Sequence, residues 1–151
     1  MAFRRRRPKE PAPPQIEPLS ISASQWRGQQ VEAARRLVER YCEASEMPPS
    51  LASLDAAVSG WFDDRAEDRA DVNDLVNAVG VTFGHHLAAA TGLTWVLATD
   101  EHGAELALHR AAGDVLVHPA NLVAERIVNG DRGFIQPLHA ELAAGIQEIS
   151  A

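Results

Sequence analysis

Histidine is the side chain best suited to proton transfer or metal ligation near neutral pH, and this 151-residue chain has six of them. His85 and His86 are adjacent within an apolar stretch of helical period. Neighbours on a helix point about 100° apart, whereas helical metal ligation uses residues four apart, so the pair does not chelate one ion. His109 and His118 fall on consecutive strand-like segments, and His102 on the turn before them. The chain has no H-E-x-x-H, no G-x-S-x-G, no paired cysteines and no phosphate-binding glycine loop. A catalytic site would have to be assembled from distant segments. The available set is His86, Asp100 and His118, acting as a histidine- or metal-dependent hydrolase, with Arg126 holding an anionic group. That chemistry requires the end of a long helix, a hairpin turn and the end of a third strand to meet on one side of the domain. A strand of about 17–20 Å separates Asp100 from the helix end and works against it.

The hydrolase is the alternative; the leading reading, which the absence of a catalytic motif favours, is a non-catalytic protein-binding or regulatory module with no metal and no cofactor. Its binding candidates are Trp95, Asp100, Arg126, His85, His86 and His118. Each also has a plain structural role available. Trp95 suits the core, Asp100 a turn, Arg126 the surface or an ion pair with Glu125, and isolated histidines commonly pack without reacting.

These residues are hung on one unit, Asp71 to Gly103. Asp71 is a good helix N-cap, and Asp74 adds negative charge in the first turn, where the helix dipole favours it. Val72, Leu75, Val76, Val79, Phe83 and Leu87 recur at helical spacing, and alanines and valines widen the stripe almost all round. The sequence predicts a helix over Val72–Thr91 that is covered on most sides. Asn73, Asp74, Asn77, His85 and His86 interrupt it too often for a membrane span. Gly80 and Gly84, four apart, share a face. Each costs about 1 kcal/mol relative to alanine in a helix interior, so close approach of another element, or of a ligand, is expected there. Gly92 ends the helix. Residues 94–99 then alternate, with Trp95 and Leu97 on one face, and Asp100–Gly103 turns the chain back into a partner strand over 104–110.

Before this unit, Ser22 with Gln25 resembles a capping box, and a first helix with Val31, Ala34, Val38, Tyr41 and Ser45 on one face is expected to stop at Met47-Pro48-Pro49. Cys42, the only cysteine, reads as a small buried hydrophobe and fits a reducing compartment. A second helix capped by Ser50 carries Leu51, Leu54, Val58, Trp61 and Phe62. The acidic link from Asp63 to Asp71 lacks glycine and calcium-loop spacing, and reads as a solvated, self-paired loop. After the hairpin come a third strand over 114–118, a helix opened by Pro119 and a last helix opened by Pro137.

Residues 1–20 carry five basic and two acidic side chains, including the Arg4–Arg7 run, and are rich in proline; the rest of the chain is strongly acidic. The segment reads as a disordered or extended tail, and residues 21–151 as one domain. An acidic body disfavours nucleic acid as a partner of the folded domain. With no signal-type or spanning apolar run, a cytoplasmic protein is expected. The fold expected is α+β: two N-terminal helices, the long helix, a three-stranded antiparallel sheet and two C-terminal helices, packed on one sheet face. Its edges, or a second copy of the chain, offer routes to a protein partner or homo-oligomer.

Several short motifs in order, Val79-Gly80-Val81-Thr82-Phe83-Gly84, Gly92-Leu93-Thr94-Trp95, Asp100 with Gly103, Val117-His118-Pro119 and Ala124-Glu125-Arg126-Ile127, together resemble the bacterial family known as domain of unknown function 3806. The likeness covers residues 50–150. It implies the α+β architecture and a basic residue at the position of Arg126, and it implies no activity. At His85 the chain departs from the acidic residue common in that family after the second glycine.

Overall fold

A computed structural model describes residues 13–149. The Arg4–Arg7 run and the tail before Pro13 lie outside the described residues. The order is β1 Gln15–Pro18, α1 Ile21–Cys42, α2 Leu51–Asp63, α3 Val72–Thr91, β2 Thr94–Asp100, β3 Gly103–Arg110, β4 Val115–Val117, α4 Pro119–Val128 and α5 Ile135–Ile149. The strands form one antiparallel sheet in the order β1-β2-β3-β4.

The central helix has the predicted bounds. Asp71 accepts a hydrogen bond from the Asp74 amide at 2.8 Å, and Gly92 closes the helix at φ 74°, which suits a residue without Cβ. Every residue from Ala78 to Gly84 is buried, because α1, α2, α4 and α5 all pack against this helix. Thr82, within that run, turns its hydroxyl onto the Ala78 carbonyl at 2.8 Å and so needs no outside partner. Phe83 and Leu87 are fully buried. Among the described residues, no helix is long and apolar enough to cross a membrane.

The sheet has four strands where three were expected. Gln15–Pro18, assigned from sequence to the tail, pairs with β2, Gln15 opposite Thr99 and Pro18 opposite Val96. All four residues are exposed, so this strand is held by backbone pairing rather than by an apolar face, and its composition carries no strand signal. The predicted hairpin is present, with Trp95 opposite Leu108. Trp95, Leu108, Val115 and Val117 join the main core with the helices, whereas Val96, Ala98, Ala107 and Leu116 form a separate cluster on the other sheet face. The helices therefore lie on one side of the sheet, as expected.

Three helix boundaries differ from expectation. Ser20, not Ser22, caps α1, accepting from the Ala23 amide at 3.1 Å. The helix ends at Cys42, with Glu43 left-handed at φ 51°, several residues short of the prolines, which leaves Ser45 outside it. α5 begins at Ile135, two residues before Pro137. The Asp55 carboxylate of α2 accepts from the Ile135 and Gln136 amides at 2.8 and 3.0 Å, satisfying donors that the helix start leaves free. The acidic link is not only self-paired. Asp64 accepts from the Tyr41 hydroxyl at 2.6 Å and from Arg40 at 2.8 Å, and Asp63 pairs with Arg132 at 2.7 Å.

Candidate functional site

One cavity, of about 380 Å³, opens where α1, α3, the β2–β3 hairpin and the start of α4 converge. Its walls come from elements the fold has independent reasons to bring together. Gly80 and Gly84 let α4 and the sheet close onto α3: a Cβ on Gly80 would lie 2.6 Å from the Ala120 Cα, and one on Gly84 2.5 Å from the Trp95 indole. The packing role foreseen for these glycines is the one they fill. Trp95, on the helix-facing side of β2, is half-buried. Trp26 of α1 lies across the cavity, off that helix's buried stripe and 37% exposed.

The polar groups gather at the beginning of α4. Asn121 donates its side-chain amide to Glu105 Oε2 at 3.2 Å, and His118 Nδ1 stands 3.3 Å from the same oxygen. That approach is within ion-pair distance but off hydrogen-bond geometry, so the buried Nδ1 has no hydrogen bond. His118 occupies the N-cap position of α4 without capping it, and Pro119 follows as the first helical residue. Asn77 of α3 adds a second amide. Among the described residues, no Ser, Thr, Cys, Tyr or Lys side chain lines this space. The arrangement is equipped for apolar contact and hydrogen-bond recognition, and among the described residues its lining offers no hydroxyl, thiol or amine nucleophile.

Of the six candidates taken from sequence, Trp95 and His118 share this cavity and the other four lie elsewhere. His86 Nε2 is 2.6 Å from the Pro49 carbonyl, which can only accept, so this nitrogen carries the proton and ties α3 to the start of α2. His85 stacks edge-on against His86. Burial, with His86 and Arg27 adding positive charge nearby, lowers its pKa below the usual histidine value. Asp100 is spent on its own turn, accepting from the His102 amide at 2.7 Å. Arg126 donates to the Leu122 carbonyl of its own helix at 3.0 Å. His86 and Asp100 are thus hydrogen-bonded elsewhere, His118 approaches only Glu105, and no hydrogen bond or ion pair joins the three. Among the described residues, no group of three His, Cys, Asp or Glu side chains is placed to hold a metal ion. Cys42 is half-buried, and burial, with Glu46 beside it, pushes its thiol pKa up, opposite to the shift of an activated thiolate.

Sequence reasoning missed Trp26, Asn77, Glu105 and Asn121. The one usable signal was Trp26, a large aromatic outside the apolar period of its helix. Glu105 and Asn121 look like ordinary surface residues until the fold puts them in contact.

The arrangement defines a small α+β domain with a single-sided helical layer and a cavity at the junction of that layer and the sheet. The chain belongs to the family described as a domain of unknown function, DUF3806, which matches residues 57–138. No curated protein matches it. A crystal structure of a protein from Bacteroides thetaiotaomicron shares the fold, with a TM-score of 0.70 at 14% identity, over 91% of this chain and 50% of that one. This chain thus spans about half the length of that solved protein.

Proposed function

We propose that this domain is a non-catalytic binding or regulatory module that recognises another protein through the cavity between α1, α3, the hairpin and α4. The observation that carries the reading is the make-up of that cavity: two tryptophans from different elements, an apolar wall of α3 at Gly80 and Val81, and polar groups converging at one end. Aromatic anchors beside a few oriented polar groups are what recognition surfaces use. The hydrolase reading depends on His86, Asp100 and His118 converging, and no hydrogen bond or ion pair joins any two of them.

The test is recovery of a partner from native cells by the intact chain and by Trp26→Ala. Trp26 stands outside both apolar clusters, so its truncation leaves the fold intact. A stoichiometric partner held by the wild type in mild salt and lost by the variant is the expected result. Equal recovery by both, or no partner across growth conditions, counts against the proposal.

A further inference from the structure

We infer that the cavity takes a protonated amine carried on an apolar stem, with Glu105 as its counter-charge. This rests on the cavity being a recognition site, and it names the chemistry recognised.

Charge is the first reason. Among the described residues, Glu105 is the only ionisable acid or base other than His118 in the lining, and the chain as a whole carries a formal charge of −7. At the Glu105 end the local charge and the long-range field favour a cation, whereas the Arg27 guanidinium on Trp95 opposes one at the other wall. The start of α4 would by itself attract an anion, but Glu105 already occupies that end through Asn121, in the first turn. An anionic ligand would meet the Glu105 carboxylate.

Unused bonding capacity is the second reason. A carboxylate offers about four acceptor positions. Both contacts to Glu105, from Asn121 and His118, fall on Oε2, while Oε1 has no protein partner among the described residues; the side chain is 56% exposed, so a ligand would replace water at that oxygen. An ammonium has three donors and no acceptor, and it matches a carboxylate oxygen in a cavity whose lining also includes the Asn77 and Asn121 side-chain amides.

Shape is the third reason. The remaining lining is apolar or aromatic, with Trp26, Val81, Trp95, Leu97 and Leu106 around an open space near the lower end of the range for small-ligand sites, about 300–1,000 Å³. A methylene chain or a phenyl-terminated stem suits such walls, and tryptophan surface also favours a nearby cation. Arg27 packs against Trp95, 5.7 Å from the ring centroid, but is not itself part of the lining. The same chemistry arises from a free alkylamine or from a lysine side chain of a protein.

The experiment follows the indole N–H signals of the intact, isotope-labelled chain. 4-Phenylbutylamine and its neutral counterpart 4-phenylbutan-1-ol are titrated into the wild type and into Glu105→Gln. A peptide array carrying lysine, or norleucine in its place, supplies the protein-side-chain arm. The amine is expected to shift Trp26 and Trp95 and to spare Trp61, whose indole is held by the Ala70 carbonyl. It should bind about two- to fivefold tighter than the alcohol, the range of a solvent-exposed ion pair, and Glu105→Gln should erase that preference. Lysine peptides that bind and fail as norleucine peptides identify a protein as the source. Binding of the free amine alone keeps the inference and removes the protein-partner reading. If alcohol and amine bind alike at the two tryptophans, or Glu105→Gln changes nothing, the ammonium inference is overturned while the cavity stands as a site. If no probe or peptide moves either indole, both readings fall.

Discussion

The Trp95 indole lies directly over Gly84, so close that a Cβ there would meet its Cη2 at 2.5 Å and the Pro119 ring at 2.9 Å. Neither neighbour is the far end of a flexible chain. Alanine should gain about 1 kcal/mol of helix propensity at this position and lose about 1–3 kcal/mol to overpacking, for a net destabilisation. Gly80→Ala, facing the Ala120 backbone at 2.6 Å, should behave in the same way. At Gly28 and Gly145 a Cβ would meet nothing within 4 Å, and alanine at either should stabilise by about 0.5–1 kcal/mol. Urea midpoints of the four single variants check this. Stabilisation by Gly84→Ala or Gly80→Ala would mean that α4 and the sheet do not press on α3 as closely as described.

The same contrast explains what could be read from the sequence. α3 is bounded by local chemistry, a capping aspartate and a left-handed glycine, and it is fully legible. The hairpin likewise depends on alternation and a turn within a few residues. β1 is different: Gln-Ile-Glu-Pro has no strand propensity to speak of, and its partner Thr99 lies far along the chain. The α5 start is set by Asp55, which belongs to α2. The cavity is harder still, since Trp26, Gly80, Trp95, Glu105 and Asn121 come from five elements, and only the packing of α3 makes them neighbours. Trp95 and His118 were legible as chemistry-bearing residues, and their shared location was not.

Asp55→Ala should destabilise the domain by about 1–2 kcal/mol, the usual effect of removing a helix-capping acceptor. Its two oxygens hold the first amides of α5 to α2, so amide exchange should rise at Ile135 and Gln136 before it rises in α3. Asp55→Asn keeps one acceptor and should recover part of the loss. Unchanged exchange at those two amides in Asp55→Ala would refute the cap.

Stability should fall at both ends of the pH scale through one contact. The Tyr41 hydroxyl, followed by the Ala66 amide and the Arg40 charge, holds the Asp64 carboxyl below the ordinary aspartate range. Because the folded-state value is depressed, its contribution is present above about pH 3.9, the unfolded value, and is lost as pH falls through the folded one. Burial first, then the hydrogen bond to Asp64, pushes Tyr41 up to about 12. Its folded-state value is raised, so its contribution is present below about pH 10 and is lost as pH climbs toward the folded value. Tyr41→Phe should flatten the alkaline limb and make the acid limb shallower. Identical pH profiles for the variant and the wild type would exclude this coupling.

Removing β1 tests whether the exposed fourth strand shields the sheet. A chain beginning at Leu19 keeps the Ser20 cap of α1 and the whole helical core, but bares the β2 edge from Val96 to Thr99. Unpaired strand edges recruit other strands, so this chain should self-associate with rising concentration. It should also lose about 1–2 kcal/mol from the missing backbone hydrogen bonds. A chain beginning at Pro13 retains β1 and serves as the control, since it separates the strand from everything before it. Light scattering and urea midpoints on the two chains give the answer. If both are equally stable and equally monomeric, β1 contributes nothing to the sheet beyond its presence there.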